Sequence, residues 1–430
     1  MLNKLKSYYE YNKEQIEYVI SKLNVAILIL YGLFVFEAFL RSTTFEINWH
    51  PYYHFSLKII LIIFVFEKSL LNLINNILVY FVLGVCTVGF LLAYLQGNHG
   101  ILLELILFTV ALKDIDYNKL ITIFTTIIGI SLLIIILGSL TGVLNNLIYI
   151  SEQRTKRISF GIHHPTNFAS YVLYFFFAWT FLRKNKIGYI EICLMYIFSY
   201  YIYFFCDART NTICLISFAS FLLIYKIICN HFRKKSKNNI DIPKWLSFIL
   251  ALAVPLCALV SIIVSYIYSP NNSLLAKIND LLSNRLHFGH KTFNTFDIKL
   301  FGQHIKMNGD GGFSSPWYNY NSFGKSGYNF IDSSYLSILF RYGLFVFICV
   351  IVLFTMTSFV ARKQHDYITL IIIAIIAVHC IMEHHLLDFN YNPFMFLLVS
   401  SYYCKHINKN KTSKSNVTTS KNSIQKEVQV

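Results

Sequence analysis

From residue 22 to residue 404 the sequence is a succession of twelve apolar runs, each closed off by polar or charged residues. A bilayer core about 30 Å thick is crossed by about 20 mostly apolar helical residues, fewer where polar ends reach for the interface. The runs cover 22–40, 55–66, 77–95, 100–112, 120–139, 166–182, 187–205, 210–229, 245–268, 333–360, 367–382 and 393–404, the second, fourth and last being short. Composition points the same way: 56% of residues are hydrophobic and 13% charged, against about a quarter charged in soluble proteins. With only 18 glycines and 7 prolines, the disordered and collagenous classes are excluded too. The expected fold class is all-α, a polytopic integral membrane protein with about twelve transmembrane helices. Its membrane domain covers 1–404, and the polar tail 405–430 is expected to be disordered in the cytoplasm.

The nine cysteines sit in or at the ends of apolar runs without a CxxC pair, so neither a zinc site nor a disulfide framework is indicated. Glu10, Glu14 and Glu17 among the first lysines are unlike a cleaved signal peptide, and the first run is expected to stay as a spanning helix.

The formal charge of +16 gains meaning when it is sorted by side. With the N-terminus in the cytoplasm, the inner segments carry 23 Lys and Arg and the outer ones 11, six of these in the one long outer loop between the ninth and tenth helices. The positive-inside rule therefore favours both termini in the cytoplasm. The inner set holds 3 Arg and 20 Lys, the outer set 5 Arg and 6 Lys. Lysine suffices to hold anionic lipid, whereas the planar fork of arginine suits phosphate and pyrophosphate oxygens. Such a distribution implies membrane lipid and an anionic ligand as partners, and not nucleic acid.

Two outer insertions interrupt the apolar pattern. The longer, 269–332, opens with Leu274, Leu275, Ile278, Leu281 and Leu282 at helical spacing, an amphipathic helix. It continues through glycines and aromatics, where Trp317, Tyr318, Tyr320 and Tyr328 could stack on sugar rings or simply mark an interface. The shorter, 140–165, places Arg154, Lys156 and Arg157 before an apolar helix with His163, His164 and Asn167 at its start: a phosphate clamp, or a loop meeting lipid headgroups. Asp207 and Arg209, Asp332 and Arg341, and Glu383, His384, His385 and Asp388 lie on the same side. Ionisable groups beside a membrane are costly and usually pair or line a site. No Walker A loop, dinucleotide fingerprint, HExxH or GxSxG occurs. The adjacent His163 and His164 would point about 100° apart on a helix, so no metal or other cofactor is expected.

Taken together, these segments resemble a known pattern. RISFGIHHPTNFASY (157–171) looks like the Arg-Gly-His-Pro-Asn entrance helix of the Wzy polysaccharide polymerase and O-antigen ligase families. NRLHFGHKTFNTFDIKLFGQ (284–303) resembles the Arg-then-Phe-Gly stretch that opens their long outer loop, and IDSSYLSILFRYGLFVF (331–347) the segment that closes it in polymerases. EHHLLDFNYNPFMFLL (383–398) is similar to the polymerase C-terminal region. Asp332 stands where ligases commonly have His, and Pro165-Thr166-Asn167 replaces the usual Pro-Asn. The resemblance implies a metal-independent glycosyltransferase, multi-pass in the plasma membrane, that moves a growing glycan from undecaprenyl pyrophosphate onto a lipid-linked repeat unit. Such an enzyme would work with a flippase and a chain-length regulator. The chemistry then assigns Arg154, Arg157, Arg209, Arg285 and Arg341 to the pyrophosphate, and Asp332, His290, His304 and Glu383, in that order, as candidate bases for the acceptor hydroxyl. A ligase shares this chemistry with a different acceptor. A flippase for the same lipid is the rival from another class, disfavoured by the absence of an internal repeat.

Overall fold

The computed structural model describes residues 13–45, 50–72, 77–97, 99–151, 154–233, 242–307 and 330–400. The chain is overwhelmingly helical: α1 (Lys13–Arg41), α2 (His50–Asn72), α3 (Ile77–Gly97), α4 (Gly100–Ala111), α5 (Tyr117–Leu140), α6 (Pro165–Arg183), α7 (Tyr189–Cys206), α8 (Arg209–Arg233), α9 (Lys244–Ala251) and α10 (Ala253–Ile267). After these come α11 (Ser273–Leu281), α12 (Arg285–Thr295), α13 (Ser334–Ser337), α14 (Gly343–Lys363) and α15 (Tyr367–His379). Among the described residues five helices are long and apolar enough to cross a membrane, and six if the bent pair α9–α10 is one span. Apolar side chains such as Ile29, Leu133, Ile197, Ile224, Ile263 and Ile348 stay exposed on their outward faces. Helices that are apolar on every side belong in lipid, so this is a membrane-embedded protein.

Each break in these helices has a cause. α9 and α10 bend by 54° around Leu252. Pro255 has no N–H for the Ala251 carbonyl and its ring crowds that group, so one helix must stop and another begin. Between α13 and α14 the turn Ile338–Tyr342 is a π-helix, ending at Gly343 with φ 94°. Such bulges favour functional sites.

Three features differ from the sequence expectation. The all-α reading omits an antiparallel hairpin, β1 (Ile148–Ser151) with β2 (Arg154–Ile158), in the shorter insertion. Its β-branched and aromatic residues Ile148, Tyr149, Ile150, Thr155 and Ile158 favour a strand pair over a helix. The run 393–404, expected to span, opens as a 3-10 turn at Pro393–Phe396 with no long helix up to residue 400; residues 401–404 lie outside the described part, as does the tail 405–430. Asn392 captures the Phe394 N–H with its side chain (3.2 Å) and Pro393 sets the turn. In the longer insertion α11 is the expected amphipathic helix.

The segment 380–400 does not run along the surface but plugs the bundle. Phe389 and Phe396 pack on Phe108 of α4 with ring centroids 5.2 and 6.1 Å away, and Tyr391 stacks on Tyr171 of α6 at 4.0 Å. Around the plug the connectors sort into two ends. At one end Thr43 bridges Ile162, His163 N–H bonds the Ser42 carbonyl (2.8 Å), Arg157 meets Cys206, and Arg285 meets Thr210, Asp332 and Glu383. At the other, the buried Lys68 ammonium caps the Ala111 and Lys113 carbonyls (2.7 Å each), Lys184 pairs with Asp366 at 2.6 Å and Arg362 bonds Ser247. The segments expected on the outer side thus share one end of the bundle.

Candidate functional site

Arg285 is delivered by a forced reversal. Ser283 and Asn284 both adopt positive φ, 57° and 66°, a region that asparagine tolerates better than most residues. Asn279 secures the turn, its side chain donating to Asn284 Oδ1 (2.8 Å) and accepting from the His287 N–H (2.9 Å). α12 therefore starts at Arg285, whose guanidinium reaches three elements distant in sequence. Nη2 donates to Glu383 Oε1 at 2.9 Å, Nε lies 3.8 Å from Asp332 Oδ2, and Nη1 lies 3.4 Å from Thr210 Oγ1 at the head of α8.

Glu383 is held from behind. Its N–H bonds the His379 carbonyl (3.1 Å) and its own carbonyl accepts the Ser334 hydroxyl at 2.6 Å. Ser334 Oγ in turn accepts the Leu386 N–H (3.1 Å), and the neighbouring Ser333 pairs with Ser261 of α10 (2.8 Å). Glu383 is 3% exposed, while Arg285 and Asp332 keep 17% and 16% of their side chains accessible. Burial pushes the Glu383 carboxyl above its ordinary range, Arg285 pulls it back and Asp332 pushes it further. Burial also lowers the imidazoles of His384, to about 4, and of His385, keeping both neutral; the charges of Arg341 and Arg285 add to this at His384. Asp388 is raised to about 6 by burial, against its hydrogen bond from Asn390 and the charge of Arg41.

Other residues expected at the site fall into separate groups. Arg157 joins it: its charge is felt at Glu383, and its Nε donates to the Cys206 carbonyl (2.9 Å) at the end of α7, where a cation suits the helix dipole. Arg154 opens β2 opposite Ser151, but its side chain lies outside the described residues. Arg209 is half exposed and pairs locally with Asp207 at 3.1 Å. His164 is the N-cap of α6, its Nδ1 near the Thr166 hydroxyl (2.7 Å), while the His163 carbonyl accepts the Tyr149 hydroxyl. Asn167 lies in the first turn of α6.

Arg341, His99 and His304 form a second group. Arg341 Nη2 is 3.4 Å from His99 Nδ1, and His304 Nδ1 is 3.2 Å from the Gly97 carbonyl. Here the strap 297–304 lies on the π turn through backbone bonds from Gln303 to Arg341 (3.0 Å) and from Leu344 to Lys299 (3.0 Å). The approach is allowed by Gly302 (φ 76°) and Gly343 (φ 94°), where a Cβ would come within 2.1 and 2.2 Å of backbone atoms. His290 Nδ1 contacts the Ser265 and Tyr266 carbonyls of α10 (3.2 Å each), which holds α12 in place. Of the four candidate bases, only Asp332 and Glu383 contact Arg285. Trp317, Tyr318, Tyr320 and Tyr328 lie outside the described residues.

Two features escaped the sequence reading. Lone charges inside apolar runs, Glu37 in α1 and Glu104 in α4, are joined by His54 of α2 at 3.2 and 3.0 Å, with Lys58 on Glu104 at 2.7 Å. A solitary carboxylate in an apolar run is itself the signal for such a partner. The second is the convergence of Glu383, His384 and His385, which the sequence places only on the same side: one ligand atom from each lies within 4.8 Å of the others. No protein-family model, characterised protein or solved structure matches the chain. At this end of the bundle three arginines, Arg157, Arg285 and Arg341, and the Asp332 carboxylate, all from segments distant in sequence, act on residues 383 and 384.

Proposed function

We propose that the chain is a polysaccharide polymerase, which transfers a growing glycan from undecaprenyl pyrophosphate to the distal sugar of a lipid-linked repeat unit. In this reading both termini are cytoplasmic and the end that carries Arg285 faces outward from the plasma membrane. The observation that carries it is Arg285, partly accessible and fixed between Glu383 and Asp332 at the end of the bundle where the arginine-rich connectors meet. Breaking the anomeric bond leaves negative charge on the pyrophosphate, which preplaced guanidinium groups stabilise best when water is scarce. Arg285 and Arg157 take that role, with Arg341 behind them. Asp332, the more accessible carboxylate, accepts the proton of the acceptor hydroxyl as its oxygen attacks the anomeric carbon. Glu383 is a positioning residue: its buried carboxylate aims the Arg285 fork.

The test is a product gel of lipid-linked glycans from cells that carry Arg285→Ala or Arg157→Ala, with the protein still in the membrane. Accumulating single repeats support the proposal, and normal polymer length from both variants overturns it. Intact polymer that fails to reach its final acceptor would indicate a ligase. Repeat units trapped on the cytoplasmic side would indicate a flippase.

A further inference from the structure

His385 is fully buried, and neither ring nitrogen has a hydrogen-bond partner among the described residues. The buried Nδ1 of the neighbouring His384 is likewise unbonded. Leaving buried imidazole nitrogens unsatisfied is costly, and native proteins rarely do so without an internal water or an ion. The rings are also held in place. His385 stacks on Tyr391 with centroids 4.0 Å apart and lies parallel to His379 at 6.1 Å, and His384 sits edge-on to Phe330 at 5.1 Å.

Consecutive residues of a helix diverge around its axis, but residues 383–385 follow the end of α15 in irregular backbone, so successive side chains can converge. Glu383, His384 and His385 each bring one donor atom within 4.8 Å of the other two. A tetrahedral zinc ion, with ligands at about 2.0–2.2 Å, spaces its donors about 3.3 Å apart. Small side-chain rotations close that gap. Glu383 gives only Oε1 to Arg285, and Oε2 has no hydrogen bond among the described residues. The remaining support is also present, since Arg285 hydrogen-bonds the carboxylate as the second shell of a ligating acid commonly does. Asp332 beside Arg285 offsets the guanidinium charge.

We propose that Glu383, His384 and His385 form a binding site for a divalent transition-metal ion of the zinc class. The ion ties the irregular turn together and holds Glu383 against Arg285. The two-imidazole, one-carboxylate donor set favours zinc, or cobalt in its place, over the hard, all-oxygen cations magnesium and calcium. The site is independent of whether the chain polymerises glycans, so its test reads metal and not polymer.

The full chain, carrying no polyhistidine tag, is purified in detergent, loaded with zinc chloride, dialysed and analysed for metal by mass spectrometry. One zinc per chain is expected. His385→Ala and Glu383→Gln should each lower zinc affinity tenfold or more, while His163→Ala, at the other adjacent histidine pair, keeps full loading. Wild-type protein that holds no stoichiometric zinc after loading overturns the proposal, and an internal water then satisfies His385. Equal loading of the His385→Ala and wild-type proteins overturns it as well. X-ray absorption of zinc-loaded wild type needs no variant: a nitrogen and oxygen shell with two imidazoles supports the site, and a sulfur shell or fewer imidazoles refutes it.

Discussion

Replacing Arg285 by Ala separates what this residue does for the fold from what it does for the reaction. The substitution leaves Glu383, 3% exposed, without its 2.9 Å partner. Removing one member of a buried ion pair costs about 3–5 kcal/mol, and the 17% exposure of Arg285 argues for the lower figure, about 3 kcal/mol. At about 2 °C per kcal/mol for a large domain, the melting temperature in detergent should fall by about 6 °C at neutral pH. Protonation limits the loss. Burial already raises the Glu383 carboxyl, and without Arg285 it rises further, so in the variant the penalty grows as pH rises through that value and shrinks as pH falls. Adding Glu383→Gln removes the stranded charge. The double variant should therefore recover most of the lost melting temperature and lose its pH dependence while still accumulating single lipid-linked repeats. Thermal scans of metal-stripped protein across pH, run beside the product gel, read both effects. If Arg285→Ala melts within a degree of wild type, Glu383 is not a buried, partnered charge. If the double variant polymerises normally, the site has been placed wrongly.

Three further outcomes follow from the same geometry. Gly343→Ala and Gly302→Ala each set a Cβ against backbone about 2 Å away at positive φ and should cost more than 3 kcal/mol in thermal scans, whereas Gly142→Ala, at φ 78° with open space, should cost about 1 kcal/mol. His99 is held at about 4 by burial and then by Arg341, while the unfolded chain takes up its proton near pH 6.5. Stability should therefore fall by up to about 3 kcal/mol as pH drops from about 6.5 to about 4, and His99→Gln should flatten that part of the profile. Glu104→Gln leaves Lys58 without the carboxylate 2.7 Å away and should lower the melting temperature by several degrees; adding Lys58→Met, which removes the stranded cation, should restore it.

What the sequence revealed, and what it concealed, follows from the range of each interaction. The spanning helices are legible because hydrophobicity accumulates over some twenty residues, and α11 because its leucines repeat at helical spacing. The polar residues of the site are legible one by one, since a charge beside an apolar run stands out. Their grouping is not. Nothing local in LSNRLH shows that Arg285 meets Glu383, 98 positions away, while His290 and His304, equally polar, spend their nitrogens on carbonyls of α10 and of Gly97. The adjacent pair His163-His164 read as the end of a phosphate clamp or of a headgroup loop, yet His164 caps α6 and the His163 carbonyl takes a tyrosine hydroxyl. The pair at 384–385 lies in irregular backbone, where adjacency no longer separates side chains. Apolar composition at 393–404 reads as a further span because hydropathy does not register that Asn390, Asn392 and Pro393 interrupt a helix in close succession.

That interruption explains how the site can exist in such a chain. Backbone without helical bonds survives inside a membrane bundle only where protein satisfies it, and in the plug at 380–400 side chains take over several of the lost bonds. Ser334 Oγ takes the Leu386 N–H and donates to the Glu383 carbonyl, Asn392 Nδ2 reaches the Leu386 carbonyl at 2.9 Å, and Asp388 Oδ1 accepts the Asn390 N–H at 3.2 Å. A regular helix running on from α15 would make these bonds itself, but it would splay Glu383, His384 and His385 around its axis. Folding the segment irregularly, with Ser334 and Asn392 standing in for the lost helical bonds, lets all three converge beside Arg285. Ser334→Ala should therefore disturb the Arg285 guanidinium and the Glu383 carboxylate although Ser334 touches only the Glu383 main chain. It leaves the Leu386 N–H unsatisfied, costs about 1–3 kcal/mol, and should weaken polymer formation together with zinc retention, whereas Ser334→Thr, which keeps the hydroxyl, should preserve both. Loss of stability in Ser334→Ala with both readouts intact would show that the plug supports the fold but does not aim the site.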